Sequence, residues 1–256
     1  MKKILITLFL MAGFSCLSVN AQKTLMKPVK KPHKTRTVTS PRKPVRQHRH
    51  TERMQTEITP NSTQNTPVDS STFQPILTDT INGHEYVDLG LSVKWATCNV
   101  GATKPSDYGD YFAWGETSTK SEYTSANSVT YNKSIDNFFG DSHYDAASAN
   151  WGGTWRMPTV AEIDELKDNC KYEWTTIDGH NGYLVIGPNG TSIFLPAAGW
   201  RFGSSLYRVD ESGRYWSSTP DEGDTQDAYN LYFGCDLFSR FWSYRNFGHP
   251  VRPVSE

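Results

Sequence analysis

The sequence predicts an α+β fold of two helices with small antiparallel sheets and long loops, preceded by a disordered basic tether. Three observations lead to this prediction. A helical apolar period with a capping signal follows Thr159, aromatic residues alternate with polar ones in short runs between glycine turns, and residues 22–79 have no apolar period. Residues 80–256 are numerous enough to form one domain with its own core.

Residues 1–21 are typical of a secretory signal peptide. Lys2 and Lys3 precede an apolar run from Ile4 to Leu17, and Val19-Asn20-Ala21 supplies a small-residue exit. Because this run is shorter than the roughly 20 residues of a spanning helix, and no later run is as apolar, no transmembrane segment is predicted in the mature chain. The predicted localisation is secreted or outer cell surface. In the alternative, Cys16 becomes the acylated first residue of a lipoprotein.

Residues 22–79 form the predicted disordered linker, which is rich in Pro, Ser, Thr, Lys and Arg. Such a composition buries too little apolar surface to offset the entropy of ordering. Lys23 to Arg53 contains 11 basic residues and one acid, so the overall net charge of −1 is a near-cancellation of a basic arm and an acidic domain. Outside the cytoplasm this arm is predicted to attract an anionic envelope component, and nucleic acid is excluded as a partner. The alternative is a plain soluble tether.

Two segments of the domain predict helices. Thr159 and Glu162 form a capping box, and the apolar residues that follow share one face, so Val160 to Asn169 is predicted to be an amphipathic helix. Asp145 to Asn150 precedes Trp151-Gly152-Gly153 and predicts a shorter helix that ends at glycine.

The remaining segments predict short strands. Tyr183 to Ile186 and Thr191 to Leu195 flank a Gly-Pro-Asn-Gly turn and predict a hairpin. Ala228 to Phe233 alternates, with Tyr229, Leu231 and Phe233 on one face, and Phe238 to Tyr244 is predicted to pair with it. Tyr86 to Leu89 and Pro250 to Val254 are predicted as the terminal strands.

Six motifs occur in a characteristic order along the domain. They are VDLGLSVKWATCNVG (87–101), YFAWGET (111–117), WRMPT (155–159), IFLPAAGWR (193–201), YWSST (215–219) and VRPV (251–254). This combination resembles the Fibrobacter succinogenes major paralogous domain of secreted Bacteroidota proteins. The resemblance implies a C-type lectin-like fold for residues 80–256, in which the two terminal strands pair.

The cysteines provide one structural expectation. Cys98 and Cys170 both lie in stretches that resemble this family, and an extracytoplasmic setting permits disulfides. We therefore expect a disulfide between Cys98 and Cys170, which requires Cα atoms within about 7 Å of each other.

The chain is predicted not to be an enzyme. It has no His-Glu-x-x-His motif, no Gly-x-Ser-x-Gly elbow, no phosphate loop and no cysteine cluster with zinc spacing. Formylglycine-generating enzymes, which the resemblance implies as relatives in fold, use a close pair of late cysteines, and here only Cys235 is late. An enzyme of unrecognised type is the alternative, with the late-loop acids or His180 as its candidate residues.

An acidic loop supplies weak candidates for a calcium site. Asp221, Glu222, Asp224 and Asp227 lie around Gly223, and calcium prefers oxygen ligands on flexible loops. The spacing is not that of an EF-hand, and the sugar-binding signatures of calcium-dependent lectins are absent. We therefore predict no cofactor and interpret the loop as solvated.

The last fifty residues predict a binding surface. Aromatic and arginine residues fall on both faces of the predicted final strands, so a single buried face cannot contain them all. Trp155, Trp216, Tyr229 and Leu231 are predicted to lie in the core. The predicted ligand-binding residues are Trp200, Arg201, Tyr207, Phe238, Arg240, Trp242, Tyr244 and Arg245.

The predicted function is a secreted or cell-surface, non-enzymatic binding module that recognises a glycan or a protein. Three alternatives stay open. In the first, the aromatic residues form the assembly interface of a structural subunit of an envelope or appendage. Residues 234–249 also resemble the diversified region of proteins targeted by diversity-generating retroelements. The third alternative is the unrecognised enzyme.

Overall fold

The computed structural model describes residues 79–256. The predicted signal peptide, the lipoprotein alternative at Cys16 and the basic linker up to residue 78 lie outside the described residues. The elements follow in chain order: β1 (Asp79–Ile81), β2 (His84–Val87), β3 (Lys94–Ala96), α1 (Ala146–Trp151), α2 (Val160–Asn169), β4 (Lys171–Ile177), β5 (His180–Ile186), β6 (Ser192–Pro196), β7 (Trp200–Phe202), β8 (Ser205–Tyr207), β9 (Ser212–Pro220), β10 (Asp227–Gly234), β11 (Leu237–Tyr244) and β12 (Val254–Ser255).

The structure is mostly β, so the predicted α+β class with a C-type lectin-like fold is wrong. Strand accounts for 39% and helix for 9% of it. The two predicted helices are present, but at 6 and 10 residues they are too short to form a layer of their own. The aromatic and glycine-rich segments that surround them form strands and loops instead.

The strands of residues 79–256 form four antiparallel sheets. One has the order β1-β2-β3-β12, a second β4-β5-β6, a third β11-β10-β9, and the fourth is the hairpin β7-β8. The predicted hairpin is β5-β6, and the predicted pairing of the last long strands is β10-β11. The predicted direct pairing of the terminal strands is corrected, because β3 lies between β2 and β12 and pairs with both.

The capping box predicted for α2 is present, and α1 has as its N-cap a residue that is predicted to belong to the helix itself. Thr159 Oγ1 accepts a hydrogen bond from the Glu162 N–H at 3.3 Å, and the Glu162 carboxylate accepts one from the Thr159 N–H at 2.7 Å. Asp145 caps α1, because its Oδ1 accepts from the N–H groups of Ala147 and Ser148. Its Oδ2 accepts from the Met157 N–H, which ties α1 to the segment that leads into α2.

The core forms two main clusters of buried side chains, and the six motifs supply much of both. Trp155, Trp216 and Leu231 are buried as predicted, whereas Tyr229 is half-buried. The indole N–H of Trp216 donates to the Phe112 carbonyl at 2.8 Å, a residue more than 100 positions earlier. The motif tryptophans therefore hold distant loops together.

Arg252 of the VRPV motif is a second tie between distant segments. Its Nε donates to Asn99 Oδ1, its Nη1 to the carbonyls of Ala96 and Thr97, and its Nη2 to the carbonyl of Phe194. The side chain is buried. This arginine satisfies four buried acceptors and so fixes the loop after β3 against β6.

Cys98 and Cys170 are free thiols, so the predicted disulfide is not formed. Cys170 lies at the end of α2, where its N–H donates to the Leu166 carbonyl and its side chain joins the core. Burial raises the pKa of the Cys170 thiol to about 11. Cys98 is half-buried in the loop after β3, next to the hydroxyl of Thr97.

Neither α1 nor α2 has the length to cross a bilayer, and no membrane-spanning helix occurs elsewhere in residues 79–256.

Candidate functional site

The β9-β10-β11 sheet carries three of the exposed rings, Phe241, Trp242 and Tyr244, and its two faces differ. Leu231 and Phe233 of β10 point into the core, as the alternation predicts. Tyr232 points to the opposite face, where it meets Arg214 of β9, its neighbour in register. Phe241 of the edge strand β11 lies against the same arginine. The candidate site is built on this second face.

Arg214 lies at the centre of this face and contacts three rings. Its guanidinium carbon is 4.6 Å from the ring centre of Trp200, 4.7 Å from that of Tyr232 and 5.9 Å from that of Phe241. Its Nη1 donates to Ser243 Oγ at 2.7 Å. The β7-β8 hairpin is thereby joined to the sheet through one cation.

Arg214 is buried, with 7% of the residue exposed, and a buried charge normally has an acidic partner. Among residues 79–256, no Asp or Glu forms an ion pair with it. Burial lowers its pKa to about 10, so the guanidinium still carries its charge at neutral pH. The negative faces of the rings stabilise this charge in place of a carboxylate. Arg214 therefore fixes the positions of the rings around it.

The rings around Arg214 reach solvent on their outer side. Tyr207 is 42% exposed, Phe241 37% and Trp242 41%. Tyr207 stacks on Trp200 with ring centres 6.1 Å apart, and Phe241 stacks on Trp242 at 5.5 Å. We call Trp200, Tyr207, Tyr232 and Phe241, together with Trp242, the aromatic face. Trp242 alternates with Phe241 along β11, on the side of Arg240, and joins this group through its stack on Phe241 at the edge of the sheet.

Three exposed apolar residues lie on the strands of the aromatic face. Phe202 and Leu206 belong to the β7-β8 hairpin, and Leu237 begins β11. Exposed apolar side chains on neighbouring strands are typical of an interaction surface.

The predicted ligand-binding residues divide into three groups. Tyr207, Arg240, Trp242 and Tyr244 are exposed, and Trp200 and Arg201 are half-buried. Arg240 points away from Arg214, since it pairs with Asp164 of α2 at 2.7 Å and lies over the ring of Tyr229. Tyr244 packs edge-on against Tyr131 and Phe247.

Phe238 and Arg245 are buried, so their assignment as ligand contacts is corrected. Phe238 stacks on Tyr172 of β4 with ring centres 4.5 Å apart and belongs to the core. The Arg245 guanidinium lies 4.2 Å from the ring centre of Trp114 and donates to the carbonyls of Asp227 and Lys133. Both residues hold the domain together.

Arg214, Tyr232 and Phe241 were not among the predicted site residues. The alternation of β10 already assigns Tyr232 to the face opposite the core, which is a usable signal. Arg214 gives no such signal, because an arginine between Gly213 and Tyr215 resembles any solvated strand residue. Its role depends on rings contributed by three other strands.

The acidic loop forms turns and does not gather its carboxylates. Asp221 Oδ1 accepts from the N–H groups of Gly223 and Asp224, and Asp224 Oδ1 accepts from that of Gln226. Asp227 is buried and Glu222 is exposed. Within residues 79–256, no group of three or more His, Cys, Asp or Glu side chains could hold a metal ion.

His180 lies at the start of β5 and meets two other polar side chains. Its Nδ1 is 2.7 Å from Tyr108 Oη and 3.7 Å from Asp210 Oδ1. Burial and the neighbouring Asp210 raise the pKa of Tyr108, which opposes its ionisation. Because both contacts use the same ring nitrogen, the three groups do not form a relay, and they join two loops to the start of β5.

Comparisons of the chain with protein-family models, with curated proteins and with solved structures gave no match. The resemblance to the major paralogous domain therefore stays a prediction.

Proposed function

We propose that residues 79–256 form a non-enzymatic binding module that holds a protein ligand on the aromatic face. The observation that carries this proposal is that Tyr207, Phe241 and Trp242 are exposed near Arg214, a buried arginine that makes cation–π contacts with Trp200 and Phe241. Tryptophan, tyrosine and arginine dominate the binding energy of protein interfaces.

The neighbours of the aromatic face favour a protein over a glycan. Leu206, Leu237 and Phe202 are also exposed, on the same strands that carry these rings. Covering an aliphatic side chain is favourable only if the ligand brings apolar surface of its own, at about 25 cal/mol for each Å² removed from water. The hydroxyl groups of a sugar would instead lose hydrogen bonds to water above the leucines.

The rings need little ordering when a ligand binds. They lie on strands, and Arg214 holds Trp200, Tyr232 and Phe241 from behind. Binding loses affinity mostly through side chains that must be immobilised, at about 0.5–1.5 kcal/mol each. A surface that is already ordered avoids part of this cost. Given the predicted signal peptide, we propose that the ligand is a protein of the cell envelope or of a neighbouring cell.

The test is a binding screen of the full chain against purified envelope and cell-surface proteins, with a glycan array in parallel. For a protein that binds, we expect Tyr207→Ala and Trp242→Ala each to weaken affinity about tenfold, because each removes one exposed ring. Phe139→Ala is the matched control, since Phe139 is an equally exposed ring outside the aromatic face. Unchanged affinity in both variants, or binding to glycans alone, would overturn the proposal.

A further inference from the structure

Within residues 79–256, the strand β11 is an edge of its sheet with no strand on its outer side. The sheet order is β11-β10-β9, and Leu237–Tyr244 pair with β10 alone. Among residues 79–256, one backbone hydrogen bond reaches this side, from the Phe247 N–H to the Tyr244 carbonyl. The opposite edge is different, since β9 makes backbone hydrogen bonds to other segments. The Ser212 carbonyl accepts from the Gly199 N–H, and the N–H groups of Trp216 and Ser218 donate to the carbonyls of Pro250 and Pro158.

The direction of the free backbone groups follows from the turn. Gly234 and Leu237 are partners across a two-residue turn and therefore form a hydrogen-bonded pair. Hydrogen-bonded and non-bonded pairs then alternate along an antiparallel ladder. The N–H and C=O groups of Phe238, Arg240 and Trp242 consequently point away from β10. Within the described residues, one of these outward groups has a hydrogen bond: the Arg240 carbonyl accepts from Ser239 Oγ.

Natural sheet edges are usually protected, and β11 lacks the usual devices. It is eight residues long, contains no proline or lysine, and keeps its register with β10 along its full length. Its single charge, on Arg240, is paired with Asp164. Four of its side chains are large, apolar and exposed: Leu237, Phe241, Trp242 and Tyr244. An edge of this kind favours the addition of another strand.

The strand is complementary to a second copy of itself in the antiparallel register whose two-fold axis passes through Phe241. With a two-fold axis at Phe241, the two Phe241 rings meet, and Arg240 lies opposite the partner's Trp242, where cation and ring attract each other. The outward backbone groups of these two residues then exchange hydrogen bonds in both symmetry-related positions, about four in all. An axis at Arg240 would instead place two guanidinium groups face to face, which is unfavourable.

We propose that two copies of this chain pair along β11, antiparallel and with Phe241 at the two-fold axis. The two three-stranded sheets then form one continuous sheet of six strands. The two Arg214 sites lie on this joined sheet, one on each side of the seam that Phe241 forms. The pairing uses the edge of the sheet and does not depend on the ligand proposed above.

The test is disulfide crosslinking of the full chain under mild oxidation. In the proposed register Phe241 is a non-hydrogen-bonded pair, with Cα atoms about 4.5 Å apart, which suits a disulfide. We expect Phe241→Cys to form a covalent dimer. Leu237→Cys and the unsubstituted chain are the controls, and we expect neither to form a covalent dimer. Leu237 is exposed on the same edge but lies far from the two-fold axis. Equal crosslinking of all three proteins, or none in Phe241→Cys, would overturn the proposal.

A second measurement follows the association without a new cysteine. Trp242→Pro removes an N–H that points outward, so it blocks strand addition and leaves the β10 ladder intact. We expect sedimentation of the full chain to show a dimer and that of Trp242→Pro a monomer with a similar melting temperature. A full chain that is monomeric at about 100-fold the concentration used for crosslinking would reject self-pairing.

Discussion

Replacement of Arg252 by methionine tests the idea that the VRPV motif is a structural tie. Methionine keeps much of the side-chain volume and removes all four hydrogen bonds of the guanidinium. Four buried acceptors then lose their donor, namely Asn99 Oδ1 and the carbonyls of Ala96, Thr97 and Phe194.

The magnitude follows from those acceptors. A buried acceptor without a donor costs about 1–3 kcal/mol. The total cost for the four acceptors is reduced because removing a buried charge is itself favourable. Burial of this charge is unfavourable, as the lowered pKa of Arg252 indicates. We expect the free energy of unfolding to fall by about 3–5 kcal/mol, a large part of the usual 5–15 kcal/mol.

The assay is urea unfolding of the full chain, followed by tryptophan fluorescence. Arg240→Met is the matched control, because Arg240 is exposed and its pair with Asp164 contributes at most about 1 kcal/mol. The reasoning is refuted if Arg252→Met and Arg240→Met lower the free energy of unfolding by the same amount.

Three further substitutions test other parts of the structure. The ring of His249 is buried and stacks on Trp216 at 4.0 Å, and burial lowers its pKa well below 6.5. The unfolded ring gains a proton below about pH 6.5 and the folded ring does not, so stability should fall there by up to about 1.4 kcal/mol per pH unit. His249→Phe should reduce this slope in urea titrations at about pH 5.5 and 7.5; an unchanged slope would contradict the assignment. Thr159→Ala removes the cap of α2 and should cost about 1 kcal/mol in thermal unfolding, whereas Thr159→Ser should not. In Gly213→Ala the new Cβ would overlap the ring of Phe233, for an expected cost of about 1–3 kcal/mol, whereas Gly234→Ala meets only an ordinary contact and serves as its control.

Local features of the fold could be predicted from the sequence. The capping box of α2, the β5-β6 hairpin and the alternation of β10 all depend on residues close together in the chain. The expected α+β class with a C-type lectin-like fold is wrong because many of the segments outside the two helices form short strands. The pairing of β3 with β12 was missed because those strands are separated by more than 150 residues.

The candidate site could be predicted in part. The excess of rings near the C-terminus pointed to exposed aromatic residues, and Trp242 and Tyr207 are exposed. Phe238 was misassigned because the ring that covers it, Tyr172, belongs to another sheet. Arg214 was missed because the identity of its neighbours depends on how three strands and a hairpin come together.

The pairing of β12 with β3 has a consequence for biosynthesis. Residues 94–96 are made early, but their neighbours at 254–255 leave the ribosome only after some 150 further residues. Until then β3 has an open edge, and the carbonyls of Ala96 and Thr97 lack the arginine that later binds them. The nascent domain therefore cannot close stepwise from its N-terminal side, and it completes its core after translation of the segment around residue 254.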